Sequence, residues 1–443
     1  MRIKKRDVRI AVVGLGKAGL PLASVMADSG SGFEVVGVDI DERRCEAINN
    51  GENPIPEESG LDELVARHGG KELVATPNFE DARGCEVFVV IVPLFTDEDK
   101  NPEFSALESA FRKVGGVLKK GDLVVLETTV PPGTTEGVAR GWLEEESGLR
   151  LKQGQGQEEQ EQGQEQGQEQ GQEGEQERGF YLAHSPERIM TGYSISRLRE
   201  FPKVVGGANR ESGVRAFEVY KNFVPNLHLV SSARVAEFIK IAEGCYRDVN
   251  VGLANELFRI AEELGVDFYE AREFANHEYC HLLLPSTGVG GHCIPVYPWF
   301  LIRAAERAEQ RGKFGSARLL RAARGGNDEM VEYWAERIIL GCLRVNKPLS
   351  EVKICVKGIT FREGVKELYH SRNLALARSL SEKGLNVFVY DELFSRAEVE
   401  EGLGLRFLEL EEVGEADLVF DCFGLKIESR EKEKNGESGH GRK

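Results

Sequence analysis

No run of about 18 uninterrupted apolar residues occurs in the 443-residue chain, so no membrane-spanning helix and no membrane partner is expected. The eight cysteines include no CxxC pair, and most of them, as at Cys85, Cys342 and Cys355, stand in apolar surroundings. That is the cysteine usage of a reducing cytoplasm. Cations are in deficit: 57 Lys and Arg against 74 Asp and Glu leave a formal net charge of -17, which argues against a nucleic-acid partner. The basic opening MRIKKRDVRIAVVGLG is similar to a secretory leader in its charge alone. Its apolar stretch is short, broken by glycine and without a cleavage pattern, so it reads as a first strand.

One tract has no apolar residue at all. Residues 152–178 hold eight glutamates against one lysine and one arginine, so roughly a third of the net charge belongs to this GQEQ-repeating segment and the remainder is only moderately acidic. Such a tract buries too little surface to offset its ordering entropy and is expected to be a disordered insert. It interrupts what reads as one sheet, between LRLK and GFYLAHSPERI, and loop closure of this kind costs little.

What is present alternates strand with helix. RIAVVGLG, FEVVGVDID, CEVFVVIVP and DLVVLETTV are buried-type strands ending at Gly or Pro, with helical periodicity between them, which is the pattern of a parallel, doubly wound sheet. From Ser232 to Val266 apolar residues recur at three- and four-residue steps and predict one long helix, with more helical pattern over 267–284 and 298–345. A helical middle of that length points to a partner subunit and hence a homo-oligomer, a dimer or higher. Alternation resumes at Val352 with VKICVKGITF, NVFVYD and ADLVFDCFG. The expected fold is α/β in three parts: a Rossmann-like domain over 1–205, a helical dimerisation domain over 206–330 and a smaller Rossmann-like α/β domain over 331–425, with a disordered tail over 426–443.

Two stretches carry chemistry. Gly14, Leu15, Gly16 and Gly19 lie in GLGKAG, a GxGxxG directly after a strand and opening a helix. The glycines allow a tight turn, a close backbone approach to a pyrophosphate and close helix–strand packing, and the helix N-terminus supplies donors for phosphate. Asp39 ends the next strand, where a carboxylate takes ribose hydroxyls, so the cofactor is read as NAD; Arg44 nearby joins the cofactor set and tempers the preference over NADP. The second stretch is PSTGVGGHCIPVYPWFL at 285–301, where glycines precede His292 and Cys293. On spacing alone Cys293 reads equally as an inert buried thiol or as a nucleophile activated near His292. His277, Cys280, His281, His292 and Cys293 together suggest a zinc site, since HEYCH at 277–281 puts ligand types on one helical face, but a regular zinc spacing is lacking and no metal is expected.

GLGKAGLPLA, ETTVPPGTT, SPERI, EFIKIAEGCYRDVNVGLANEL and GVGGHCIP occur in this order, and together they resemble the UDP-glucose/GDP-mannose dehydrogenase family over roughly residues 8–425. The SPER and GGHCIP forms are more similar to its UDP-N-acetylhexosamine branch, so the resemblance implies UDP-N-acetyl-D-mannosamine as substrate, bound by the C-terminal domain and in the cleft between domains. It implies a four-electron oxidation of a sugar C6 alcohol to a carboxylate with two NAD in succession, through a Cys293 thiohemiacetal and thioester. Lys240 matches the lysine that stabilises an oxyanion, Glu187 the general base of hydrolysis, and Thr129 the hydroxyl that holds the water and borders the cofactor. Arg188, Lys240, Arg247 and Gly290 fall at substrate-binding positions. Three residues depart from the pattern: Gly244 for an asparagine, Tyr297 for an aspartate and Tyr369 for a substrate-binding arginine, which leaves Arg372 to replace it. These departures keep two alternatives open, a catalytically reduced relative in a regulatory role and a two-electron 3-hydroxyacid-type dehydrogenase that has no need of Cys293. Without the motif around it, Lys240 reads as a solvated helix-face lysine.

Overall fold

The computed structural model describes residues 8–152, 179–189, 192–313 and 315–429. They form two compact units, the first ending at Ala242 and the second beginning at Glu243, so the division falls within the helix Ala233–Glu263. That helix matches the apolar periodicity of 232–266 to within three residues at either end.

In the first unit the strands Val8–Val13, Val87–Val90 and Leu123–Leu126 are apolar on both faces, as strands covered by helices on both sides must be. The sheet runs Leu227–Leu229, Lys203–Gly207, Gly179–His184, Leu123–Leu126, Val87–Val90, Val8–Val13, Phe33–Val38, Leu73–Thr76. Every pairing is parallel except that of Gly179–His184 with Lys203–Gly207. Side-chain alternation splits the first strand between two cores: Ile10 and Val12 join one with Leu20 and Met26, while Ala11 and Val13 join the other with Phe88 and Phe111. The order reverses between Val8–Val13 and Val87–Val90, and the carboxyl ends of strands at such a switch point are where ligands bind in open α/β sheets. The flanks of the insert do lie in one sheet, as two neighbouring strands: Arg150–Leu151 pairs in parallel with Gly179–Phe180. The insert itself, 153–178, lies outside the described residues.

The second unit holds a five-stranded sheet ordered Arg406–Phe407, Val387–Tyr390, Ile354–Lys357, Leu418–Asp421, Lys426–Ser429, with the last strand antiparallel. This corrects the expected tail. Residues 426–429 are a strand because their alternation sets Ile427 against the core, and only residues beyond 429 lie outside the described ones. Helix Arg318–Cys342 packs Met330, Trp334, Ile338 and Cys342 on that core. Two further expectations are corrected here. The helix begun at Phe268 ends at Ala275, because the Asn276 side chain bonds both the N–H and the carbonyl of Leu282 and closes a loop instead. His277 and Cys280 then pair as an antiparallel bridge, so HEYCH is not a helical face. The 298–345 pattern is two helices, Tyr297–Gln310 and Arg318–Cys342, with Gly312 at φ +70° turning the chain out of the first.

Candidate active site

The turn after the first strand is built for a dinucleotide. Gly14 sits at φ +97°, and a Cβ on it would lie 2.7 Å from the Ile91 carbonyl oxygen; a Cβ on Gly19 would lie 1.8 Å from the carbonyl oxygen of Gly14. Both glycines are thus demanded by the fold itself. Gly16 differs: a Cβ there would meet no protein atom within 4 Å. No described protein atom requires glycine at 16, and the open space there, before helix Gly19–Ala27, is where the fingerprint would let a pyrophosphate approach the backbone. Asp39 is buried at the end of its strand. One oxygen accepts the Leu15 N–H at 2.7 Å, and the other accepts the Asp41 N–H at 3.0 Å and Arg44 Nη1 at 2.9 Å. The carboxylate is thereby fixed against the glycine turn, and Arg44 is drawn to it rather than left to recruit a second phosphate.

Three side chains meet in the first unit. Thr129 follows the strand Leu123–Leu126, Glu187 follows Gly179–His184, and Lys240 stands two turns into the long helix. Lys240 Nζ lies 3.1 Å from Glu187 Oε1, and Thr129 Oγ1 lies 3.5 Å from the same oxygen. The other carboxylate oxygen accepts the Ile189 N–H at 2.8 Å. Burial pushes the Glu187 carboxyl up, but the Lys240 charge, the Ile189 N–H and the more distant Lys203 charge outweigh it and hold its pKa below the usual range. A cation, an ionised base and a hydroxyl therefore share one point. Arg188, next in the chain, is half-buried. The loop and the helix are tied by a residue that sequence reasoning missed: buried Glu237 accepts the N–H of Gly133 at 2.5 Å and of Thr135 at 2.7 Å, and its desolvation raises its pKa to about 7.

In the second unit Cys293 is half-buried at the foot of helix Tyr297–Gln310, where its carbonyl accepts the N–H of Val296 at 3.1 Å and of Tyr297 at 2.9 Å. Six other cysteines are buried, and burial raises their thiols, to about 11 at Cys85 and Cys342 and about 12 at Cys245 and Cys355. Cys280 is the other half-buried one. The His292 ring stacks on Tyr369, with centroids 3.9 Å apart and planes 3° from parallel, and its Nε2 lies 3.4 Å from Glu367 Oε2. Among the described residues no group of three or more His, Cys, Asp or Glu side chains is placed to hold a metal ion.

Arg247 is exposed on the long helix. Gly290 packs so closely that a Cβ would lie 2.8 Å from the His370 carbonyl oxygen. Arg372 donates Nε to the Val289 carbonyl at 3.2 Å and pairs with Asp328, which also accepts from buried Arg324 at 2.5 Å. Arg372 is thus held beside the glycine loop, at a carbonyl four residues before Cys293. The departures at Gly244 and Tyr297 turn out to touch: a Cβ on Gly244 would lie 2.9 Å from Tyr297 Cδ2 and 3.2 Å from its Cβ. One is the space the other fills.

Residues 8–224 match the model of the UDP-glucose/GDP-mannose dehydrogenase family, NAD binding domain, and residues 234–329 that of the family's central domain. A UDP-N-acetyl-D-mannosamine dehydrogenase of Methanococcus maripaludis is 34% identical over 86% of this chain and 79% of its own length. An NDP-N-acetyl-D-galactosaminuronic acid dehydrogenase of Ralstonia solanacearum is also 34% identical, over 86% of this chain and 82% of its own. The solved UDP-D-ManNAc dehydrogenase of Pyrococcus horikoshii superposes with a TM-score of 0.79 at 32% identity, covering 94% of this chain and 89% of its own.

Proposed function

The chain belongs to the UDP-glucose/GDP-mannose dehydrogenase family and is an NAD-dependent dehydrogenase, and from this we propose that it oxidises the C6 alcohol of a UDP-N-acetylhexosamine to the carboxylate, with UDP-N-acetyl-D-mannosamine as the sugar. The observation that carries the reading is Glu187, held ionised between Lys240 at 3.1 Å and Thr129 at 3.5 Å. The names borne by the Methanococcus and Pyrococcus relatives support the choice of sugar.

NAD, held by Gly14, Leu15, Gly16, Gly19 and Asp39, supplies a hydride acceptor at each of two oxidations. The protein's own residues do the rest. Lys240 stabilises negative charge as it develops on the C6 oxygen. Cys293 adds its sulfur to the C6 aldehyde, forming a C–S bond while the carbonyl oxygen takes a proton, and so retains the aldehyde as a thiohemiacetal. Oxidation of that adduct leaves a thioester. Glu187 takes a proton from a water that Thr129 helps to hold; the water oxygen bonds C6, the C–S bond breaks and Cys293 leaves as thiolate. Overall one CH2OH and one water become a carboxylate, four electrons leave as two hydrides, and three protons are released. Arg188, Arg247, Gly290 and Arg372 are assigned to the sugar nucleotide, whose diphosphate suits guanidinium groups.

Among the described residues no helix is long and apolar enough to cross a membrane, and eight free cysteines support a cytoplasmic site of action. Tyr246, Leu253 and Ile260 are exposed at steps of seven on one face of the long helix, which supports a homodimer in which a second copy covers them; light scattering measures this directly. The chemical test counts NADH per sugar with UDP-glucose, UDP-N-acetylglucosamine, UDP-N-acetylmannosamine and GDP-mannose. Two per UDP-N-acetylmannosamine, lost in Cys293→Ser, is the expected result. One per sugar with a fully active Cys293→Ser, or no turnover of any sugar by protein that binds NAD, would overturn the proposal.

A further inference from the structure

The first unit buries a lysine that the chemistry above leaves unused. Lys203, at 2% exposure, begins the strand Lys203–Gly207. Its Nζ donates to Glu127 Oε2 at 2.8 Å, to the Pro186 carbonyl at 3.0 Å and to the Ser185 carbonyl at 3.3 Å. Glu127, at 1% exposure, accepts Tyr220 Oη at 2.7 Å on its other oxygen, and its backbone carbonyl accepts the Glu187 N–H at 3.1 Å. The turn is pinned further by Ser185, which donates its N–H to the Leu126 carbonyl at 3.0 Å and its Oγ to the Val204 carbonyl at 3.0 Å.

Stability does not account for such a pair. Removing two charges from water costs several kcal/mol each, and apolar residues of similar volume usually serve a core as well or better. What the pair does that apolar residues cannot is bind two successive carbonyls, those of Ser185 and Pro186, immediately before Glu187. A backbone fixed at both carbonyls and at the following N–H leaves Glu187 little freedom but its side-chain torsions.

We propose that Lys203, seated by Glu127 and Tyr220, is the positioning residue for Glu187: it locks the Ser185–Pro186 turn so that the carboxylate stays aimed at the hydrolytic water. The inference rests on Glu187 being the base of the proposed reaction. The step it governs is hydrolysis of the Cys293 thioester, in which the water oxygen bonds the carbonyl carbon, the C–S bond breaks to thiolate and the water's proton passes to Glu187. Its removal therefore slows deacylation and spares the two earlier oxidations.

The experiment uses full-length protein with NAD and UDP-N-acetylmannosamine. Lys203→Met alone strands Glu127 and can fail to fold, so the working variant is Lys203→Met with Glu127→Gln, checked by its melting transition, beside Lys203→Arg and Glu187→Gln. The double variant should give a first-turnover burst of two NADH per site at the native rate, then a steady rate about 10–100-fold lower, a fraction of what a general base contributes. Intact-mass analysis of quenched protein should find the sugar acyl group on Cys293, and Lys203→Arg should restore most of the steady rate. A folded double variant with a native steady rate and no acyl adduct would overturn the proposal. If Glu187→Gln itself turns over normally without an adduct, the assignment of Glu187 falls first, and the two failures are told apart.

Discussion

Gly244→Ala is a perturbation whose cost can be worked from the structure with its own control. In an exposed helix interior the change stabilises by about 1 kcal/mol, because alanine has less backbone freedom to lose. Here the new Cβ would sit 2.9 Å from Tyr297 Cδ2, closer than real carbon contacts come, and 3.2 Å from Tyr297 Cβ, tighter than most. Tyr297 is buried, and its backbone N–H is committed to the Cys293 carbonyl, so the ring cannot swing clear without moving the turn below it. Overpacking of this kind costs about 1–3 kcal/mol, which leaves Gly244→Ala between neutral and about 2 kcal/mol destabilising in the native background. With Tyr297→Ala already made, the clash is gone and the same change should stabilise by about 1 kcal/mol. The coupling energy of the cycle is the difference, about 1–3 kcal/mol. Urea unfolding of the four proteins measures it, with equal m-values as the check that each loses the same surface. The rate at which iodoacetamide modifies Cys293 supplies the functional readout and should change in Gly244→Ala alone and return in the double variant. A shift of equal size and sign in both backgrounds would refute the reasoning.

Other consequences can be checked separately. His184 is fully buried, and burial, with the Lys203 charge, depresses its pKa to about 3 from the ordinary histidine value of 6.5. The unfolded chain therefore takes a proton that the fold refuses, so stability should fall with pH below about 6.5 by about 1.4 kcal/mol per unit, about 2 kcal/mol by pH 5; a His184→Gln variant with the same acid slope would sink the assignment. Arg324 and Asp248, at 2% and 0% exposure, pair at 2.6 Å; Arg324→Met strands the carboxylate and should cost about 3–5 kcal/mol in urea unfolding. Asp39→Asn keeps an acceptor for the Leu15 N–H but loses the charge, so NAD affinity, read by fluorescence titration, should fall about 10–100-fold, the worth of one charge-assisted hydrogen bond. An unchanged NAD affinity would mean that Asp39 serves the turn alone.

How much of this was legible in the sequence depends on whether the relevant period or spacing is local. The first sheet and the long helix announce themselves because apolar alternation and the 3.6-residue step repeat along the chain. Gly14, Gly16 and Gly19 are legible as a set, although only space separates the two that the fold demands from the one it leaves open. Helical pattern misled where a side chain competed with the backbone, as Asn276 does with Leu282. The strand 426–429 was hidden by its charges, since one isoleucine in KIES is enough to hold an edge. Lys203 and Glu127 were out of reach for a different reason: 76 residues separate them, and the one trace each leaves is a charge beside an apolar run.

The departures from the family pattern show what such reading cannot weigh. Taken one at a time, Gly244 and Tyr297 count as two losses around Lys240 and Cys293, and they favour a chain with weakened chemistry. In space they are a single choice, a large ring admitted by an absent side chain, and that choice keeps the Cys293 turn packed. Tyr369 follows the same logic, since its ring spends itself on His292 while Arg372 lies beside the glycine loop. The catalytically reduced alternative therefore no longer draws two separate losses from Gly244 and Tyr297, and the count of NADH per sugar decides between it and the four-electron reaction.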